Sequence, residues 1–219
     1  MKKGTVIAII AASIIVLLAT VFGGIVLYQR YQSQPVGEAK PVLYLYPEEE
    51  CEVSVKLELK GEFTHTYPAY NDGWKVIAKP DGTLIDENGR EYYCLFWEDE
   101  KDIEYDMSKG FVVAGKDTAA FLEEKLAILG LTDKEANEFI IYWLPQMENN
   151  PYNLISFQGD VYTESTKLTI SPEPDSVLRV FMAWQPLEEK IEIEEQELQG
   201  FERKGFTVVE WGGTGITNR

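Results

Sequence analysis

Between Thr5 and Leu27 the chain reads TVIAIIAASIIVLLATVFGGIVL, 23 residues without a charge. At 1.5 Å per residue such a run spans roughly 34 Å as a helix, against a bilayer hydrocarbon core of about 30 Å. Backbone amides in lipid must be satisfied internally, so a segment of this kind is expected to be helical. The apolar region of a cleaved signal peptide is shorter, about 7–15 residues, and ends in small residues of A-x-A type. LLATVFGG does not supply that pattern, and no cysteine stands near the end of the run to carry a lipid. The expectation is an uncleaved single-pass anchor over residues 5–28, with the lipid bilayer as its partner. Lys2 and Lys3 precede it, and Arg30 is the only positive residue directly behind it. Positive flanks favour the cytoplasm, which makes residues 1–4 a short cytoplasmic tail and the remainder extracytoplasmic.

Charge separates the two parts of the chain. Lys2, Lys3 and Arg30 are the only charged residues before Glu38, so 17 of the 20 basic residues face all 37 acidic ones afterwards, a formal −20. Such a field repels nucleic acid and anionic lipid, which excludes a nucleic-acid partner, and it attracts basic proteins. Residues 29–40, QRYQSQPVGEAK, are polar with Pro and Gly and read as a stalk. The about 175 residues that follow suffice for one core burying roughly 70% of the unfolded surface. They are expected to form a single extracytoplasmic domain, 41–214, with a short tail over 215–219.

Within that domain CEVSVKLELK alternates strictly: Cys51, Val53, Val55, Leu57 and Leu59 against Glu52, Ser54, Lys56, Glu58 and Lys60. This predicts a half-buried antiparallel strand. PVLYLYP predicts a short strand bracketed by prolines, and WKVIAKPDGTLID two strands around a Pro-Asp-Gly turn. ENGR supplies an Asn-Gly hairpin turn into EYYCLFWEDE, which is apolar on both faces from Tyr92 to Trp97 and predicts a central strand. Two helices follow. DTAAFLEEKLAILG has Asp117 as N-cap and Gly130 as its C′ residue; TDKEANEFIIYWLP opens on a Thr132-x-x-Glu135 capping box and is expected to stop before Pro145. Phe139, Ile140 and Trp143 mark its buried stripe. Strands return with NLISF, TKLTI, SVLRVFMAW and FTVVEW, while PLEEKIEIEEQELQG fits strand and helix equally. The fold class is α+β: predominantly antiparallel, sandwich-like sheet with an inserted helical pair, preceded by one transmembrane helix.

KPVLYLYP, YPAYNDGWKVIAKPDGTL, YYCLFWE, YWLPQM, PEPDSVLRVFM and VVEWGG occur in this order. Together they resemble a family of uncharacterised bacterial and fungal proteins with a KPVIYLYP-like opening. The resemblance runs from Lys40 to about Gly213 and implies one shared domain. It implies no activity, cofactor or catalytic residue.

Candidate chemistry therefore comes from the residues. Outside the cytoplasm Cys51 and Cys94 can form a disulfide, and two buried free thiols are the alternative. A nucleophilic Cys94 helped by His65, the single histidine, is disfavoured, since a reactive thiolate needs an electropositive, accessible setting. His65 in EFTHTYP reads as an edge-strand residue. One histidine without a nearby carboxylate pattern excludes a His-based zinc site, and EDEKDIEYD lacks the spacing of a calcium loop. Neither a metal nor a cofactor is expected.

Three charges sit inside apolar strands: Glu98 in LFWED, Arg179 in VLRVF and Glu210 in VVEWG. A buried guanidinium needs a partner, so Arg179 is expected to pair with Glu98, Glu210 or Asp99. The structural reading ends there. A functional reading lets Arg179 hold an anionic ligand, or makes Glu98 and Glu210 a general acid/base pair for glycan hydrolysis, with Trp97, Trp211 and Trp74 stacking on sugar rings. Asn71, Asp72 and Asp81 belong to turn signatures that can also line a binding mouth. The leading expectation is a membrane-anchored binding or organising module with a cell-surface ligand. Alternatives are an extracytoplasmic hydrolase using Glu98 and Glu210, and an accessory subunit docking a basic protein partner through its acidic face.

Overall fold

The structure is a computed structural model that describes residues 39–100 and 103–216. The chain divides into two units, 1–35 and 36–219. The anchor over 5–28 and the stalk residues up to 38 lie outside the described residues, and no helix among the described residues is long and apolar enough to cross a membrane. What is described is a mixed fold, mostly β, with two sheets and few helices.

The larger sheet is organised by its first strand, β1 (Ala39–Tyr46). Val42 and Tyr44 point to one side and enter a core with the helices; Leu43 and Leu45 point to the other and enter a core between the sheets. Apolar residues on both faces place β1 in the interior, and it lies between two strands, β7 (Leu95–Glu100) and β12 (Thr207–Gly215). The proline-bracketed segment is thus a central strand, with Pro41 at an irregularity in its pairing, where a missing N–H costs no ladder bond. β3 (Glu62–Tyr67) adds to the outer edge of β7; β11 (Ser176–Leu187), β9 (Tyr152–Gln158) and β8 (Phe111–Ala114) continue beyond β12.

The smaller sheet is antiparallel and runs β10 (Thr166–Ser171), β2 (Cys51–Leu59), β4 (Trp74–Ala78), β5 (Leu84–Ile85), β6 (Glu91–Tyr92). Strict alternation in β2 buries Val53, Val55 and Leu57 against Leu43, Leu45, Leu95 and Trp97 of the larger sheet, while Glu52, Lys56 and Glu58 face solvent. Each such aliphatic side chain contributes about 1.5–3 kcal/mol on burial.

EYYCLFWEDE is not one central strand. It is β6 of the smaller sheet and β7 of the larger one, divided at Tyr93–Cys94 where the chain passes between sheets. Its two apolar faces arise because Leu95 and Trp97 enter the inter-sheet core while Cys94 and Phe96 pack on the helix-side core.

The helical pair enters between β8 and β9. α1 (Thr118–Leu129) ends on Gly130 at φ +99, with the Gly130 and Leu131 amides donating back to the last turn. α2 (Asp133–Met147) starts with both bonds of the expected capping box. It does not stop before Pro145. The helix runs through to Met147 because Trp143 and Met147 are both buried, and tertiary packing outweighs one missing bond to the Ile141 carbonyl. Phe139 and Trp143 are buried and Ile140 packs beside them, as the stripe predicted. Gly213 allows this fit: a Cβ there would stand 2.8 Å from the Trp143 ring and 2.6 Å from the Met182 carbonyl.

One pairing departs from the antiparallel expectation. β11 and β12 run parallel, from Ser176 against Thr207 to Trp184 against Gly215. Parallel neighbours require a long crossover, and residues 188–206 provide it. This is the acidic stretch that fits strand and helix equally; past Pro186 and Leu187, which end β11, it forms no helix and no strand beyond a single parallel bridge of Glu194 to Lys109. It lies extended over the helix side, pinned by Leu198 and Phe201 on the core and by Gln196, whose side chain bonds both the amide and the carbonyl of Phe157. β1 begins in the stretch read as stalk, and β12 reaches Gly215 in the stretch read as tail.

Candidate functional site

Arg179 lies on the face of β11 opposite to Leu178 and Val180 and directly beside Glu210 of β12. Its Nε and Nη2 both donate to the Glu210 carboxylate, and Nη1 donates to the Thr166 carbonyl at 2.8 Å. Tyr162, on the short helix α3 (Asp160–Ser165), donates its hydroxyl to the same carboxylate while its ring lies 4.8 Å under the guanidinium. Phe181 stacks on Tyr162 at 4.1 Å and on Tyr105 at 5.4 Å. The Glu210 side chain is 0% exposed. Burial opposes the arginine's charge, but Glu210 more than offsets this and raises its pKa above the ordinary arginine range. Of the three expected partners, the structure assigns Glu210.

Glu98 is elsewhere. It faces the helix side of β7 beside His65 of β3, whose Nδ1 is 3.2 Å away, whereas Glu210 is opposite Leu43 on the inter-sheet side. Two carboxylates on opposite faces of one sheet do not flank a scissile bond, so the expected Glu98/Glu210 acid/base pair is not formed. Asp99 is fully buried on the inter-sheet side of β7, while the side-chain bonds of Arg179 go to Glu210 and the Thr166 carbonyl. Trp97 and Trp211 are fully buried and Trp74 nearly so, with Trp74 donating to the Pro68 carbonyl; their rings belong to the two cores and present no stacking surface. Asp72 is exposed in the turn before β4 at φ +67.

The disulfide is corrected as well. Cys51 and Cys94 are free, Cys51 at the inter-sheet core and Cys94 at the helix-side core, with the larger sheet between those layers. Burial first, and then the nearby Glu138 carboxylate, push the Cys94 thiol up to about 12, which suits a packing residue rather than a nucleophile. Glu138 also accepts the Tyr44 hydroxyl at 2.7 Å, and Tyr44 accepts from Trp211 Nε1 at 3.2 Å; burial and Glu138 raise Tyr44 too. A second interior ion pair was not anticipated: Glu135, already the capping-box residue, receives Arg203, which also donates to the Gly130 carbonyl. Among the described residues no group of three His, Cys, Asp or Glu side chains is placed to hold a metal ion.

A cluster at the rim of the inter-sheet core, on which Tyr92 packs, is one the motifs did not single out. Tyr67 ends β3 at the edge of the larger sheet, and Tyr92 ends β6 at the edge of the smaller one. Their rings meet edge to face at 5.6 Å. Between them Arg90 donates from Nη2 to the Tyr67 hydroxyl at 2.9 Å and sets its guanidinium over the Tyr92 ring at 5.6 Å. The hairpin turn that presents Arg90 is fixed by Asp86, whose carboxylate accepts the amides of Asn88 and Arg90 and the hydroxyl of Tyr92. Those bonds, that from the Arg90 amide foremost, hold the Asp86 carboxyl below its usual range. Tyr67 is 50% exposed. Arg90 forms no ion pair among the described residues, whereas Arg179 and Arg203 each hold a buried carboxylate.

No protein-family profile and no solved structure match the chain. A curated relative from Butyrivibrio fibrisolvens, the "Uncharacterized protein in bglA 3'region", is 41% identical over 69 residues, which cover 30% of this chain and 71% of that protein.

Proposed function

The chain belongs to the family of the Butyrivibrio protein, and we propose, from its own residues, that it is a membrane-anchored extracytoplasmic module that binds a cell-surface ligand. The anchor rests on the uncharged run Thr5–Leu27 and its lysine flank, and the extracytoplasmic placement on the same charges. Binding rests on one observation: at the rim of the inter-sheet core, against which Tyr92 packs, the half-exposed Tyr67 and the exposed Arg90 are ordered by their contacts with each other and with Tyr92. Large rigid aromatics and an arginine at a surface are the side chains that carry recognition energy, because little rotamer freedom is lost when they engage. The other candidate residues point away from chemistry. Glu210 is sealed against Arg179, Glu98 stands on the opposite face, and the tryptophans fill cores.

Two measurements test the reading. The full chain, expressed in a bacterial host, is expected to stay in membranes through an alkaline wash and to lose its globular part to protease added to intact spheroplasts. Recovery in the soluble fraction, or protection from that protease, removes the anchor or its orientation. The detergent-solubilised chain is expected to sediment with purified cell envelopes, and Tyr67→Ala and Arg90→Ala to abolish this at unchanged melting temperature. Sedimentation indifferent to both substitutions assigns binding elsewhere.

A further inference from the structure

Resting on that reading, we infer that the Tyr67–Arg90–Tyr92 cluster takes a neutral polysaccharide, a chain of uncharged sugar rings lying along the junction of the two sheet edges. Each part of the cluster meets one requirement of such a ligand. Sugar rings offer a face of C–H bonds that packs on an aromatic face, and Tyr67 is a half-exposed ring whose orientation is fixed twice, by Arg90 at its hydroxyl and by the edge of Tyr92. Sugar hydroxyls need charged or polar groups with fixed direction. The guanidinium of Arg90 is a planar donor set, and here it is held over Tyr92 and forms no ion pair among the described residues.

Charge selects against other polymers. Asp86, Glu87 and Glu91 lie within four residues of Arg90, so three acidic residues are sequence neighbours of one arginine in a chain of net charge −17. Asp86 stays ionised at neutral pH because its carboxyl is held below the ordinary range. At a Debye length of about 8 Å that local excess is felt by anything touching the cluster, and it disfavours polyuronates, polyphosphates and other anionic chains. Tyr67 is half exposed and Arg90 exposed at the meeting of two sheet edges, which fits an extended polymer better than a small molecule that must be buried on most sides.

Affinity electrophoresis of the detergent-solubilised full chain tests this, in gels containing hydroxyethylcellulose, galactomannan, laminarin or polygalacturonate. Retardation is expected on at least one of the three neutral polymers and not on polygalacturonate. Tyr67→Ala and Arg90→Ala are expected to weaken it about tenfold each. Tyr67→Phe, which keeps the ring and loses the hydroxyl that holds Arg90, should fall between wild type and Tyr67→Ala at unchanged melting temperature. Retardation by polygalacturonate alone overturns the neutral-sugar inference. So does envelope sedimentation that persists, sensitive to Tyr67→Ala, with no neutral polymer retarding the chain; if polylysine or basic envelope protein then competes it away, the ligand is protein. Loss of envelope sedimentation altogether defeats the binding reading itself, independently of the sugar class.

Discussion

Arg179 and Arg90 are the same residue in two settings. Arg179 is nine-tenths enclosed, and its charge persists because Glu210, Tyr162 and the Thr166 carbonyl replace the water it has lost. Arg90 stands in solvent among acids, yet its contacts are a hydroxyl and a ring. Burial obliges a cation to find an anion, since an uncompensated interior charge costs several kcal/mol; at the surface water already does that task, and an ion pair adds little. Among Arg90, Arg179 and Arg203, pairing with a carboxylate goes with a buried carboxylate partner. A guanidinium that is ordered without a carboxylate keeps its donors for something else.

The most direct way to break the contrast is to remove the cation from each place. Arg179→Met is expected to cost about 3–5 kcal/mol in urea unfolding of the full chain, because Glu210 is left buried and unpaired. Arg179→Met with Glu210→Leu should regain most of that loss; a double variant no better than the single one would mean that packing, not charge, dominates the site. Gly213→Ala tests interior tightness without charge. Its Cβ meets the Met182 carbonyl and the Trp143 ring, and a loss of about 1–3 kcal/mol is expected in the same assay. Thr132→Ala removes one half of the capping box and should cost about 1 kcal/mol.

The thiol at the helix-side core gives a pH signature. Cys94 is raised from its ordinary 9.0 to about 12, so the folded state keeps a proton that the unfolded state sheds first. That contribution is complete below pH 9 and is lost as pH rises from there to about 12; Cys94→Ala should flatten the decline of stability over that window. Iodoacetamide should label native Cys94 far more slowly than the unfolded chain. At the other extreme, Arg90→Ala and Tyr67→Ala should change stability by less than about 0.5 kcal/mol while altering binding. A loss as large as that of Arg179→Met would erase the distinction between the two arginines.

Local signals survived into the structure where one element sufficed to determine them. The Thr132/Glu135 box, Gly130 at a helix end, the Asn-Gly hairpin and the alternation of β2 are all decided within a few residues. Features that depend on which element lies next to which were not legible. Tyr92 to Trp97 reads as one covered strand, and only the division at Tyr93–Cys94 shows that two sheets share it. Pro145 is carried inside a helix by the burial of Trp143 and Met147, a tertiary effect that overrides a local stop. The need of Arg179 for a carboxylate was readable from its apolar strand, but the choice of Glu210 over Glu98 is a matter of sheet faces. Tyr67 and Arg90 lie 23 residues apart, one ending an edge strand of the larger sheet and the other in the turn before an edge strand of the smaller, and neither carries a motif that announces the other.

The parallel pair at the middle of the larger sheet has a consequence for how the domain is made. β12, the last strand of the described residues, fills the slot between β1, the first, and β11. A ribosome releasing this chain exposes the greasy edges of β1 and β11 long before the strand that joins them has been synthesised. Closure is a late, long-range event, and deletion of the segment from Thr207 onward would leave two half-sheets with nothing between them.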